Sequence, residues 1–155
     1  MGEVTKVGDQ AYSFELSDSQ GNNWALKDLL RDGDVMLIFF RGLWWPPCRL
    51  QLKGLKKRYE EFQEAGIRIV IISADAAQNL EEFRIKKAMP FLMLSDPECK
   101  VIRKYGVYNP SERNGIAVPS VFILDKSGVV RYSKTQNKIF RTRSKSLLKI
   151  ARKNW

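Results

Sequence analysis

Apolar residues along this chain gather into short unbroken runs, with longer stretches between them that repeat every three or four positions. Val35 to Phe40 is one unbroken run, and Ile67 to Ser73 is a second, interrupted only by Arg68. Runs of this kind fit strands buried on both faces. Ala11 to Leu16 alternates instead, with Tyr12, Phe14 and Leu16 set among polar positions, and predicts a short strand. Ser17 to Asn23 is turn-rich around Gly21. Trp24 to Leu30 is a short apolar-polar stretch ended by Arg31-Asp32-Gly33. Leu52, Leu55, Tyr59 and Phe62 recur at helical spacing among lysines and glutamates. They predict one long helix over Pro46 to Ala65, closed by Gly66. Ala77 to Ala88 predicts a second helix, and Phe91 to Leu94 a short strand after Pro90. Asp96 as N-cap and Pro97 at the first helical position open a helix that runs to Tyr105 and stops at Gly106. Asn109 to Gly115 reads as a loop. Ser120 to Leu124 and Val129 to Ser133 flank Asp125-Lys126-Ser127-Gly128, a hairpin signal. Ser144 caps a last helix carrying Leu147, Leu148 and Ala151.

Strands that alternate with helices and finish on a hairpin and a helix imply an α/β fold, a mixed sheet with a parallel centre, an antiparallel edge and helices on both faces. The 155 residues and 44% apolar content suit one domain, 1–155, with a sizeable core. The chain starts without the apolar run of a signal peptide, and its longest apolar runs are too short to span a bilayer. A cytoplasmic protein in a reducing compartment is the expectation. There is no histidine, which removes Cys-His and Ser-His catalysis and the commonest metal ligand. With only Cys48 and Cys99 as further soft ligands, no metal site and no cofactor is expected.

Charge is unevenly placed. Beyond Asp125 there is no acidic residue but there are ten basic ones, so the net charge of +10 lies in segment 126–155. Such a face could attract nucleic acid or an acidic partner, or stand simply as a solvated basic surface on a terminal hairpin and helix.

The chemistry concentrates at Phe39-Phe40-Arg41-Gly42-Leu43-Trp44-Trp45-Pro46-Pro47-Cys48. The run leaves a buried strand and opens a helix. A thiol at a helix start meets unpaired backbone N–H groups and the positive end of the helix dipole, and both favour thiolate. In open α/β sheets ligands gather beyond the carboxyl ends of the strands, which predicts a cleft beside Cys48.

These residues, with the strand Val118-Pro119-Ser120-Val121-Phe122-Ile123-Leu124-Asp125, resemble the thioredoxin superfamily. More narrowly the chain looks like the alkyl hydroperoxide reductase/thiol-specific antioxidant group, the peroxiredoxin-like branch. Val7-Gly8-Asp9 with Phe14, Leu94-Ser95-Asp96-Pro97, Tyr105-Gly106-Val107 and Phe140-Arg141-Thr142-Arg143 share the likeness. The resemblance implies a peroxide-attacking thiol at Cys48. It also shows departures. A thioredoxin-like dithiol site would have its attacking cysteine where Trp45 stands. The peroxiredoxin pattern Pro-x-x-x-Thr-x-x-Cys puts its threonine on Trp45 and its proline on Arg41. The family's peroxide-polarising arginine falls on Pro119. Arg41, Arg49, Arg141 and Arg143 are candidates to replace it, with Arg41 first because it directly follows the central strand, although it could equally pair with a carboxylate. The likeness further implies a cis Val118–Pro119 bond and a substrate groove from Trp44, Trp45, Pro47, Val118 and Pro119.

The function implied is a thiol-dependent antioxidant oxidoreductase. Cys48 attacks a hydroperoxide, passes through a sulfenic acid, and is restored by an external thiol reductant such as a thioredoxin. Cys99 is either a resolving thiol or a structural one. Two other readings stay open on the residues alone. One is a redox-impaired binding module with a hydrophobic patch at Trp44 and Trp45. The other is a monothiol disulfide reductase working through mixed disulfides.

Overall fold

The computed structural model describes residues 3–136 and 141–153. Phe140, part of the run just before the last helix, lies outside them. Nine strands are described: β1 Glu15–Asp18, β2 Asn23–Ala25, β3 Asp34–Phe39, β4 Ile67–Ser73, β5 Leu92–Ser95, β6 Tyr108–Asn109, β7 Ile116–Ala117, β8 Ser120–Leu124 and β9 Val130–Thr135. The helices are α1 Leu26–Leu29, α2 Pro46–Lys57, α3 Tyr59–Glu64, α4 Ala77–Lys86, α5 Lys100–Lys104 and α6 Ser144–Ala151.

Seven strands form one sheet in the order β2-β1-β5-β4-β3-β8-β9. The unbroken apolar runs are its centre. β3 and β4 pair in parallel from Asp34 opposite Ile67 to Phe39 opposite Ile72, and β5 joins β4 in parallel. The outer pairings, β1 with β5 and β8 with β3 and β9, are antiparallel. The period-two alternation of β3 divides the interior into two cores. Met36 and Ile38, with the following Phe40, face a core closed by Leu52 of α2, Phe62 of α3, Leu80 of α4 and Leu147 of α6. Val35, Leu37 and Phe39 face the other, closed by Leu29 of α1 and by Ile102 and Tyr105 of the α5 region. Helices therefore cover both faces, as the order of elements predicts.

Several boundaries differ from the sequence reading, each for a local reason. The helix expected over Pro46 to Ala65 is two helices, because Arg58 leaves helical geometry at φ −108°, ψ 16°. Gly66 still closes the second one, at φ +76°, a conformation glycine adopts without a Cβ penalty. The N-terminal strand is Glu15–Asp18 rather than Ala11 to Leu16, because its ladder with β2 starts at Glu15 opposite Ala25. Asp96 does cap a helix, but from further away. Its carboxylate accepts the N–H groups of Lys100, Val101 and Ile102 at 2.9–3.0 Å, so α5 begins at Lys100 and Pro97 sits in the preceding turn. Ser144 does not cap α6, whose N-cap is Arg143 with no side-chain bond. The loop expected over Asn109 to Gly115 is the tip of a small β6–β7 hairpin. The basic final segment is partly absorbed by the fold, with Arg131 bonding Asp125 at 2.8 Å and Arg152 reaching Glu61 at 3.6 Å.

Candidate active site

β3 delivers its chain end into the site. Phe40 extends the ladder by donating its N–H to Ile72 at 2.9 Å. Beyond it the backbone turns through Arg41 and Gly42. Gly42 has to be glycine here, because a Cβ would run into the Trp44 indole. The Leu43 N–H donates to the Asp75 carboxylate at 3.1 Å, and the Ser73 hydroxyl donates to the same oxygen at 2.9 Å. Burial holds the Asp75 carboxyl above its ordinary range. The end of β4 thus anchors the loop that launches α2.

Trp45 is the N-cap of α2, Pro46 and Pro47 are its first two residues, and Cys48 is the third. Prolines suit this turn because their missing N–H would have no helical partner anyway. They also change the electrostatics expected at Cys48. Two of the N–H groups that would face the sulfur do not exist. Those of Cys48 and Arg49 are turned back to the Trp45 carbonyl at 3.1 and 3.3 Å. The helix start supplies less positive potential than its position alone suggests.

Cations supply it instead. Cys48 is fully buried, and the Arg141 guanidinium donates to its Sγ at 3.4 Å. Arg141 is fixed from the other side of the sheet end. Gln136 donates its N–H to the Pro119 carbonyl and its Nε2 to the Thr142 hydroxyl, both at 2.7 Å. Arg41, only 6% exposed, is the second cation. Its pKa is raised first by the hydrogen bond to Glu112 and further by the charge of that carboxylate, against the opposing effect of burial. Glu112 takes it in a bidentate pair at 2.5 and 2.7 Å. The Arg41 Nε has no hydrogen-bond partner among the described residues, which leaves one buried donor uncommitted.

Above this pair lie the two tryptophans, neither of them open. The Arg41 guanidinium stands 5.1 Å from the Trp44 ring and 4.9 Å from that of Trp45, and Arg113 covers Trp44 at 3.7 Å. Trp45 packs on the same core as Cys48, whereas Val118 packs on the opposite one. Of the five residues expected to line a single groove, Trp45 and Val118 thus pack against different cores. Pro47 instead lines a groove between α2 and the segment 141–145. No described peptide bond is cis, so the Val118–Pro119 bond is trans. Strand β8 pairs antiparallel with β9, and the Pro119 carbonyl carries that pairing one residue further by accepting from Gln136.

Of the four candidate arginines, Arg141 reaches the sulfur and Arg41 flanks it. Arg49 is exposed and donates to the Leu43 carbonyl at 2.8 Å, and Arg143 is exposed. Glu112, Arg113 and Asp75 were invisible to sequence reasoning. None belongs to a motif, and Glu112 lies 71 positions from Arg41. Cys99 packs in the second core, across the sheet from Cys48, and both thiols are free. That placement speaks for the structural role rather than the resolving one. Among the described residues no group of acidic or cysteine side chains is arranged to hold a metal.

A mixed sheet with helices on both faces and a cysteine at the start of the helix after a central strand defines a protein of the thioredoxin-like class. The model of the AhpC/TSA family matches residues 7–133, and the chain belongs to that family. It is 34% identical over 132 residues to peroxiredoxin Q, chloroplastic, of Oryza sativa, spanning 84% of this chain and 59% of that protein. Identity to peroxiredoxin Bcp of Escherichia coli is 28% over 131 residues, 82% of this chain and 83% of the relative. The crystal structure of the peroxidoxin BcpB from Mycobacterium tuberculosis superposes with a TM-score of 0.86 at 25% identity, covering 95% and 96% of the two chains. The departures at Arg41, Trp45 and Pro119 thus occur within a family fold that is otherwise kept.

Proposed function

We propose that this peroxiredoxin-family chain reduces hydroperoxides with Cys48 as the attacking thiol and Arg141 as the cation that holds it. The observation that carries the reading is the contact between the Arg141 guanidinium and the Cys48 Sγ. A buried thiol with no charge beside it is a small hydrophobe, whereas a cation at hydrogen-bond distance favours the thiolate.

In the reaction, the thiolate sulfur attacks the outer oxygen of the hydroperoxide. The S–O bond forms as the O–O bond breaks, and the departing alkoxide or hydroxide takes a proton from water. Cys48 is left as a sulfenic acid. Arg141, and the Nε of Arg41, are donors suited to the charge that develops on the leaving oxygen. An external thiol, of which a thioredoxin-type protein is the expected carrier, then reduces the sulfenic acid. Because Cys48 is fully buried, the peroxide gains entry only when side chains around the sulfur move.

The test is peroxide consumption by the wild type and by Cys48→Ser, with the sulfenic acid trapped by dimedone and located by mass spectrometry. Loss of both in the variant is expected. Equal consumption by the two proteins would sink the proposal. The binding-module reading loses its main support, since guanidinium groups cover the indoles that would have formed its apolar patch.

A further inference from the structure

Arg141 has two sides. One touches the Cys48 sulfur, and the other faces a groove of about 620 Å³ between α2 and the start of α6. The volume is that of a small-molecule site rather than a protein footprint. Its floor is apolar, with Leu50 exposed at 68%. Arg143 and Lys145, both exposed, stand on its rim beside Arg141, and Arg58 on its far wall is drawn toward Glu61 at 3.5 Å. Among the described residues no acidic side chain lines it. One further group asks for a ligand. Gln51, one helical turn beyond Cys48, is 92% buried in this wall, and its Nε2 has no hydrogen-bond partner among the described residues. A buried amide donor left unsatisfied is destabilising, a cost that an acceptor seated beside it would remove.

We infer that this groove binds the carboxylates of a small anionic thiol, and that this thiol reduces the oxidised Cys48. Cations on the rim and an amide donor in the wall match two carboxylates, while Leu50 receives the carbon chain between them. A carboxylate that pairs with Arg141 also draws the guanidinium from the sulfur and opens a way to it. The thiol sulfur attacks the Cys48 sulfenic acid, a disulfide forms between them, and hydroxide leaves as water with the thiol proton. A second thiol then attacks the bound sulfur, which releases a symmetrical disulfide and restores the Cys48 thiol. The inference rests on Cys48 passing through a sulfenic acid.

The experiment separates the two claims. The full chain is first oxidised with one equivalent of hydrogen peroxide and the sulfenic acid counted by mass spectrometry, which tests the peroxidase reading alone. Reduction is then timed by tryptophan fluorescence with mercaptosuccinate, a dicarboxylate thiol, and with 2-mercaptoethanol, a neutral one, at equal thiolate concentration. The expected result is a rate about ten-fold higher for mercaptosuccinate, a preference worth about 1.4 kcal/mol. It should shrink as salt brings the Debye length below about 10 Å. In Arg143→Ala/Lys145→Ala the ratio of the two rates should fall about five-fold. In Lys53→Ala/Lys57→Ala, which removes the same charge from exposed positions of α2 outside the groove, the ratio should hold. Equal rates with the two thiols in the wild type, or an equal fall of the ratio in both double variants, would overturn the inference. If no sulfenic acid forms, titration of reduced protein with S-methyl mercaptosuccinate decides the groove by itself. Heat of binding that is lost in Arg143→Ala/Lys145→Ala keeps the site, and none in the wild type removes it.

Discussion

The two cysteines occupy nearly the same structural position and different chemical worlds. Both are buried, at 0% and 3% exposure, and both stand at the start of a helix. At α5 the open N–H groups are already taken by the Asp96 carboxylate. Burial pushes the Cys99 thiol up, and the charge of Asp96 pushes it further, against a smaller pull from Arg103. At α2 no carboxylate caps the helix and none lies in its first turn. Arg141 and Arg41 take that place. Burial and helix position are thus shared, and the two thiols differ in the sign of the neighbouring charge, a carboxylate beside Cys99 and a guanidinium at Cys48.

Altering that charge should break the contrast, and the largest effect is expected at Arg141. Arg141→Met should slow peroxide oxidation of Cys48 about a hundred-fold, the loss typical of one preorganised donor. Stopped-flow tryptophan fluorescence checks it, and a loss of less than about three-fold would assign the charge work elsewhere. Arg41 comes next, as a matter of stability. Arg41→Met leaves the Glu112 carboxylate without its bidentate partner. Breaking a fully buried pair costs about 3–5 kcal/mol, and with Glu112 38% exposed the expected loss is about 2 kcal/mol by urea unfolding. Arg41→Met combined with Glu112→Gln should recover part of it.

A smaller effect sharpens the other side of the comparison. Asp96→Asn keeps an acceptor for α5 but removes the charge, so it should cost about 1 kcal/mol of stability. It should also let Cys99 ionise at lower pH than in the wild type, read as thiolate absorbance. An unmoved titration would mean that burial alone sets this thiol. The least effect is expected at Asp75, whose carboxyl is raised by burial. Stability from such a group is complete below the ordinary aspartate value of 3.8 and is lost as pH rises through the higher folded value. Asp75→Asn has no such loss. Its melting temperature should therefore gain on the wild type between acid and neutral pH, and a constant difference would refute the assignment.

The scaffold was legible because its signals are local. Runs such as Val35 to Phe40 can be satisfied only in the middle of a sheet, and period-two alternation decides which residue faces which core. The position of Cys48 at a helix start was legible for the same reason, since Pro46 and Pro47 punctuate the chain there. The break in the helix after it is not legible, because Leu55, Tyr59 and Phe62 keep helical spacing across Arg58, where the backbone leaves helical geometry. Asp96 is legible as a cap, but its reach past Pro97 to Ile102 is not, because Pro97 is equally at home in a turn.

What the amino-acid order determined by itself was the mixed sheet, the helix start that carries Cys48, and the family to which the chain belongs. The third dimension alone decided which charges meet the sulfur. Arg141 lies 93 positions from Cys48 and Glu112 lies 71 from Arg41. Strand and helix patterns repeat within a few residues and can be read along the chain. Charge pairing across a closed core depends on distances that exist only once the sheet has assembled and excluded water.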